Sequence, residues 1–283
     1  MNSIKLNNGV EMPLLGFGVF QITDEKLCEE TVSNAIKIGY RFFDTAACYG
    51  NERAVGNAIR KSKIARKEFF ITTKVWIQDA SYEGTKKSFE KSLENLQTDY
   101  IDLYLIHMPY GDYHGAWRAM EELYKEGKIR AIGVSNFLAD RLVDLILTHE
   151  IIPAVNQIEL HPFYQEKDLR KIMKEYNIET MAWAPFAEGQ NNIFTNDTLV
   201  EIGKKYNKTA AQVVLRFINQ NHIITMPKST ELNRMKENFE SQDFVLSDKD
   251  MKEIEKMDTN KPLILNITSL DEVYRLHNIK FAQ

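Results

Sequence analysis

Asp44, Lys74 and His107 each close a short apolar run, and Tyr49 lies in the loop after the first of them. A carboxylate, an ammonium, an imidazole and a phenol at neighbouring strand ends are what acid catalysis on a carbonyl needs, because the developing alkoxide must receive a proton. Taken singly, each has a plainer role: Asp44 and Lys74 as a rim ion pair, His107 as a hydrogen-bonded interior histidine, Tyr49 as rim packing. Together they point to chemistry. A free phenol has a pKa of about 10, and lowering it by about three units takes roughly 4 kcal/mol of preferential tyrosinate stabilisation. An ammonium about 4 Å away, at an effective dielectric of about 20, supplies about 4 kcal/mol before desolvation is counted. Lys74 is the expected cation, Asp44 the group that keeps it charged and oriented, and a neutral His107 the hydrogen-bond donor to the substrate oxygen.

The same pattern continues along the chain. Ser135 and Asn136 follow the fifth apolar run, Gln157 closes the sixth, Trp183 lies near the end of the seventh and Lys228 follows the eighth. The runs predict strands over 14–17, 42–44, 69–74, 101–107, 130–134, 154–157, 180–184 and 223–226. Between them, apolar residues at spacings of three and four predict helices, with stripes such as Cys28, Val32, Ala35, Ile36 and Gly39, or Phe89, Ser92, Leu93 and Leu96, or Leu138, Leu142, Leu145 and Ile146. Gly39 and Gly127 are expected helix endings; Asp79 or Ser81, and Ser229 or Thr230, are expected N-caps.

An alternation of strand and helix fits an open doubly wound sheet or a closed barrel. The open dinucleotide-binding sheet uses G-x-G-x-x-G, whereas Gly16-Phe17-Gly18 runs on into Val19, Phe20 and Gln21 without the third glycine. The expected fold is therefore α/β, a (β/α)8 TIM barrel, whose carboxyl strand ends form the working face. Asn7-Asn8-Gly9 predicts a β-hairpin before the first barrel strand. No Pro-rich or Gly/Ser-rich linker divides the chain, so residues 1–283 are read as one domain, with about 261–283 as a C-terminal loop or tail.

Composition narrows the function. Of 283 residues 43% are hydrophobic, and 36 basic against 40 acidic side chains leave a net charge of -4, with no excess cation for non-specific nucleic-acid binding. No apolar stretch approaches the roughly 20 residues that span a bilayer, and the opening residues lack a signal-peptide core. A cytoplasmic monomer acting on a small molecule is expected, without a membrane or nucleic-acid partner. Cys28 and Cys48 lack C-x-x-C spacing and are read as reduced packing residues. A metal-dependent hydrolase is the main competitor, but the histidines at 107, 114, 149, 161, 222 and 277 form no H-x-H or H-E-x-x-H, so no metal is expected. The nearest match to a G-x-S-x-G nucleophile, Gly133 to Phe137, lacks the closing glycine.

Several segments together resemble the aldo-keto reductase family: Tyr40-Arg41-Phe42-Phe43-Asp44-Thr45-Ala46 with Tyr49-Gly50-Asn51-Glu52, Thr73-Lys74-Val75-Trp76, Asp102-Leu103-Tyr104-Leu105-Ile106-His107, Gly133-Val134-Ser135-Asn136-Phe137, Asn156-Gln157 and Pro227-Lys228-Ser229 with Arg234, Glu237 and Asn238. Their order and spacing cover nearly the whole chain, with the look of the bacterial diketogluconate and methylglyoxal reductase-like members. The resemblance implies a barrel that binds NADPH without a Rossmann motif and reduces aldehydes and some ketones. It implies Tyr49 as general acid, supported by Asp44 and Lys74, with His107 orienting the carbonyl. Ser135, Asn136 and Gln157 then hold the nicotinamide carboxamide and Trp183 stacks on its ring, where the family usually has Tyr. Lys228, Ser229 and Arg234 take the 2'-phosphate, and Glu237 with Asn238 the adenine; two cations, a hydroxyl and a helix start suit a phosphate dianion. Phe20, Tyr49, Trp76, Met108 and Tyr110 are expected around the substrate. Met108 stands where many relatives have Trp, a softer wall, and Glu231 in the phosphate loop works against the NADPH preference. A non-catalytic nicotinamide-binding regulatory subunit of the same fold is the alternative, disfavoured by the intact tetrad.

Overall fold

Both faces of the short strands are apolar because both faces are covered, one by helices and one by the closed interior. In the computed structural model, which describes residues 2–281, a hairpin of β1 (Ser3–Lys5) and β2 (Glu11–Pro13) precedes eight parallel strands. These are β3 (Phe17–Gly18), β4 (Phe42–Asp44), β5 (Phe70–Val75), β6 (Ile101–Ile106), β7 (Ile129–Ser135), β8 (Val155–Glu159), β9 (Glu179–Trp183) and β10 (Ile224–Thr225), each pairing with the next in chain order. A parallel bridge between Leu15 and Thr225, with Gly16 N donating to Thr225 O at 2.8 Å, joins the last strand to the first. The expected barrel is thus present. Its two terminal strands are shorter than the 14–17 and 223–226 read from the sequence: residues 14–16 bridge Thr225 of β10, and only Phe17–Gly18 pairs with β4.

Side-chain alternation sorts the strands into an inner and an outer set. Phe42, Phe70, Leu103, Leu105, Ala131, Val155, Met181 and Ile224 pack together inside, with Leu6 and Met12 of the hairpin and Leu14 plugging the floor. Phe43, Ile71, Tyr104, Ile106, Ile132, Val134 and Ala182 point outward into the larger core beneath the helices. The interior is filled: a Cβ at Gly16 would lie 2.2 Å from the Phe42 ring.

The helices form where the spacing predicts them. Helix Glu25–Ile38 begins at Asp24, whose side chain accepts from Leu27 N, and buries Cys28, Thr31, Val32, Ala35 and Ile36. Each large aliphatic in that stripe contributes about 1.5–3 kcal/mol. It ends at Gly39, whose φ of 127° suits a residue without a Cβ. Ser81 rather than Asp79 caps helix Tyr82–Leu96. The cap expected at Ser229 or Thr230 is instead at Glu231, which opens helix Leu232–Phe239 without a side-chain cap; Ser229 Oγ accepts from the Glu231 N–H one turn earlier.

The largest departure is the segment beyond Asn260, expected as loop or tail. It carries helix Leu270–Asn278, whose buried Leu276 packs on Trp76, Ile77 and Met108. Among the described residues, no helix is long and apolar enough to cross a membrane.

Candidate active site

Strand parity brings the polar residues together. Stepping by two from the inward Phe42, Phe70, Leu105, Ala131, Val155 and Met181 reaches Asp44, Lys74, His107, Ser135, Gln157 and Trp183 at the carboxyl ends of β4 to β9. The barrel interior is therefore apolar below and polar at its mouth. Tyr49 arrives from the loop after β4, at the end of a single 3-10 turn, Ala47–Tyr49, that reverses at Gly50 with φ 69°. Asn51 pins this loop: its Oδ1 accepts from Thr45 Oγ1 at 2.8 Å and its Nδ2 donates to Val19 O and Ile22 O at 2.9 and 3.1 Å.

Lys74 is fully buried and donates to Asp44 Oδ1 at 2.7 Å and to Thr45 O at 2.8 Å. An ammonium has three donors, so one remains for the phenol side, where Nζ lies 5.0 Å from the Tyr49 ring centroid. His107 stands edge-on to Tyr49 and Trp76, at centroid distances of 5.6 and 5.0 Å. Burial, reinforced by the charge of Lys74, holds the imidazole well below its ordinary pKa, so His107 is neutral at neutral pH as expected. Tyr49 departs from expectation. Burial first, then Asp44 and the Cys48 thiol, push its phenol well above 10 rather than toward neutrality, so the group is held protonated.

The residues expected to hold nicotinamide form one connected network with this set. Gln157 Nε2 donates to the second oxygen of Asp44 at 2.8 Å, and Gln157 O accepts from Ser135 Oγ at 2.9 Å and Asn136 N at 2.8 Å. Asn136, at φ 62°, donates through Nδ2 to His107 O at 3.0 Å and accepts the Trp183 indole N–H at 2.8 Å. The half-buried indole is thereby oriented, a bond that phenylalanine could not make.

The second group lies beyond β10. Lys228 and Arg234 are exposed and, among the described residues, have no hydrogen-bonded or ionic partner, whereas nearby Lys205 and Lys208 are tied to Asp250 and Asp243. Ser229 and Asn238 are buried beside them. Glu237 is turned toward helix Ala210–Gln220, accepting from Thr209 Oγ1 at 2.7 Å, so it already has a structural partner.

Trp76, Ile77 and Met108 pack with Leu276, with half-buried Cys48, Tyr110, Leu265, Ile267 and Phe281 against them. Phe20 is half exposed on the other side of Tyr49, its ring 4.9 Å away. Tyr110 is committed to the tail, its hydroxyl donating to Ile267 O at 2.6 Å, and Trp76 Nε1 donates to Ile279 O at 3.1 Å. Sequence reasoning missed three participants. Cys48, read as simple packing, places Sγ 3.4 Å from His107 Nδ1. The apolar residues of the tail complete the wall.

Glu159 is the third. Its buried Oε1 accepts from Leu263 N and Ile264 N at 2.7 and 3.1 Å, and its Oε2 from Leu265 N at 3.0 Å. An inward-facing glutamate two residues after Gln157 was the available signal. Glu159→Ala leaves these donors without their acceptor, at about 1–3 kcal/mol for each group left unsatisfied in the interior. The expected result is faster amide exchange at residues 263–265 and a higher KM for carbonyl substrate; unchanged exchange would show that the apolar contacts alone hold the tail.

A model of the aldo/keto reductase family matches residues 14–259. The glyoxal reductase of Bacillus subtilis is 49% identical over 261 residues, covering 92% of this chain and 94% of that one. Among solved structures, an aldo-keto reductase from a Medee basin deep-sea metagenome library superposes with a TM-score of 0.92 at 42% identity, covering 95% of this chain and all of that one. A Bombyx mori aldo-keto reductase in complex with NADP gives 0.87 at 31% identity, with 93% and 94% covered. The likeness spans the barrel from its first strand past its last and includes the strand ends that carry the polar network, and the protein belongs to the aldo/keto reductase family.

Proposed function

We propose that the protein reduces aldehydes and some ketones to alcohols with NADPH, Tyr49 delivering the proton to the carbonyl oxygen. The observation that carries this reading is the buried Lys74–Asp44 pair at 2.7 Å beneath a phenol held protonated and beside a neutral imidazole. When bound, NADPH supplies the hydride. The alkoxide that hydride addition would create is a strong base, comparable to hydroxide. An alkoxide is a stronger base than a phenolate, so Tyr49 can act as the proton donor to it without the depression inferred from sequence. Lys74 steadies the phenolate left behind, Asp44, itself held by Gln157, keeps Lys74 in place, and His107 donates to the substrate oxygen.

The donor set fits the cofactor. Trp183 offers an oriented ring face at the mouth, with Ser135, Asn136 and Gln157 around it, and the unpaired Lys228 and Arg234 with Ser229 suit the 2'-phosphate. Asn238 is the adenine-side contact and Glu237, already held by Thr209, the second. Arg234→Ala is expected to raise the apparent KM for NADPH about tenfold to a hundredfold, the span of a charge-assisted hydrogen bond, with little change for NADH. Equal changes for the two cofactors would remove the phosphate assignment.

The wall of Trp76, Ile77, Met108, Leu276 and the tail residues supports uncharged carbonyl compounds over keto acids. The B. subtilis glyoxal reductase supports small dicarbonyls among them. Following NADPH absorbance across a panel of aldehydes, dicarbonyls, ketones and keto acids tests activity and class together. Repeated turnover with a free aldehyde separates the enzyme from a non-catalytic nicotinamide-binding subunit; failure with every aldehyde would overturn the reductase reading.

A further inference from the structure

We infer that Cys48 is a positioning residue that fixes the tautomer of His107, its thiol donating to Nδ1 so that the ring proton resides on Nε2. The inference rests on the reductase reading above and adds a residue to it. A neutral imidazole has one donor nitrogen and one acceptor nitrogen, and the partner of one determines the role of the other. To donate to a substrate oxygen, His107 must carry its proton on the nitrogen that faces the substrate.

Cys48 Sγ lies 3.4 Å from His107 Nδ1, within sulfur hydrogen-bonding range, and is itself half-buried against the Trp76 and Met108 wall. Two neutral groups meet there, so one must donate. Burial pushes the thiol up to about 12, outweighing the opposing pull of Lys74, and the imidazole stays neutral. A thiol in that state is an S–H donor and a poor nucleophile, which favours a positioning role over redox or covalent chemistry. With Nδ1 accepting from sulfur, Nε2–H is left as the donor. The edge-on rings of Tyr49 and Trp76 restrict rotation of the imidazole, so the two ring nitrogens cannot exchange places without displacing one of them. The position adjacent to Tyr49 in sequence thus serves His107 across the barrel mouth.

The test combines nitrogen NMR of the His107 imidazole with kinetics for Cys48→Ala and Cys48→Ser, the His107 signals being assigned by their loss in His107→Asn. In the wild type, Nδ1 is expected at the shift of an unprotonated acceptor and Nε2 at that of a protonated nitrogen. Cys48→Ser keeps a hydroxyl donor and should preserve both shifts and kcat. Cys48→Ala should move both shifts toward tautomer averaging and lower kcat about threefold to tenfold, the scale of one hydrogen bond, with NADPH affinity unchanged. A wild-type proton on Nδ1 overturns the proposal. So does a kcat loss in Cys48→Ala without a change in shifts, since packing would then account for it, or a Cys48→Ser variant that behaves like Cys48→Ala. The shifts need no turnover, so their failure is distinct from failure of the reductase reading, which His107→Ala kinetics report.

Discussion

Tyr49→Phe is expected to lower kcat for aldehyde reduction about 10²–10⁴-fold, the usual contribution of a positioned general acid. The substitution removes one oxygen and keeps the ring that contacts Phe20, Lys74 and His107, so the mouth should stay packed. Affinity for NADPH, read by fluorescence titration, should be unchanged, which distinguishes loss of the proton donor from loss of the site. Wild-type turnover in Tyr49→Phe would end the mechanism proposed here, because His107, neutral and hydrogen-bonded, cannot replace the phenol and remain the orienting donor. The Tyr49 shift sharpens the point. A phenol pushed upward by burial stays intact in the resting site, and in the proposed mechanism only a base as strong as a nascent alkoxide would take its proton.

Lys74→Met is the second change of large effect, and here stability as well as rate should fall. The Lys74 side chain is fully buried and that of Asp44 is 7% exposed, so removing the ammonium leaves a carboxylate with Gln157 Nε2 as its remaining donor. Breaking such a pair typically costs about 3–5 kcal/mol, which should appear as a lower denaturation midpoint at unchanged m. Adding Asp44→Leu removes the uncompensated charge and should recover much of that stability, because buried pairs are close to neutral against apolar replacements. Activity should stay lost in the double variant, since both the cation behind the phenol and its anchor are gone. A stable Lys74→Met protein would show that the pair is not structural in the way described, and a double variant with restored turnover that it is not catalytic.

Much of this site could be read in one dimension. A strand is short and alternates, so a polar residue closing an apolar run marks the mouth of a barrel; Asp44, Lys74, His107 and Gln157 are read by that rule, and Trp183 as lying near the end of its run. Parity with the inward residues could also have been counted along each strand. The tail was misread for a related reason. Helix Leu270–Asn278 buries one residue, Leu276, while Leu270 and Tyr274 stay exposed, and the segments on either side of it are held by Glu159 of β8 and by Trp76 just after β5. The N-cap at Glu231 was missed because Ser229 spends its oxygen on the turn before the helix.

The order of apolar and polar residues by itself determined the strand–helix repeat and the placing of Asp44, Lys74 and His107 at strand ends, since those depend on neighbours two to four positions apart; the missing third glycine after Gly18 then favoured the closed barrel. Only the tertiary structure decided that Cys48 meets His107, that Gln157 meets Asp44, that Glu159 holds residues 263–265, and that Tyr49 is raised rather than lowered. These depend on which atoms barrel closure brings within a few ångströms, and on the balance between desolvation and charge there, and neither is written in local spacing.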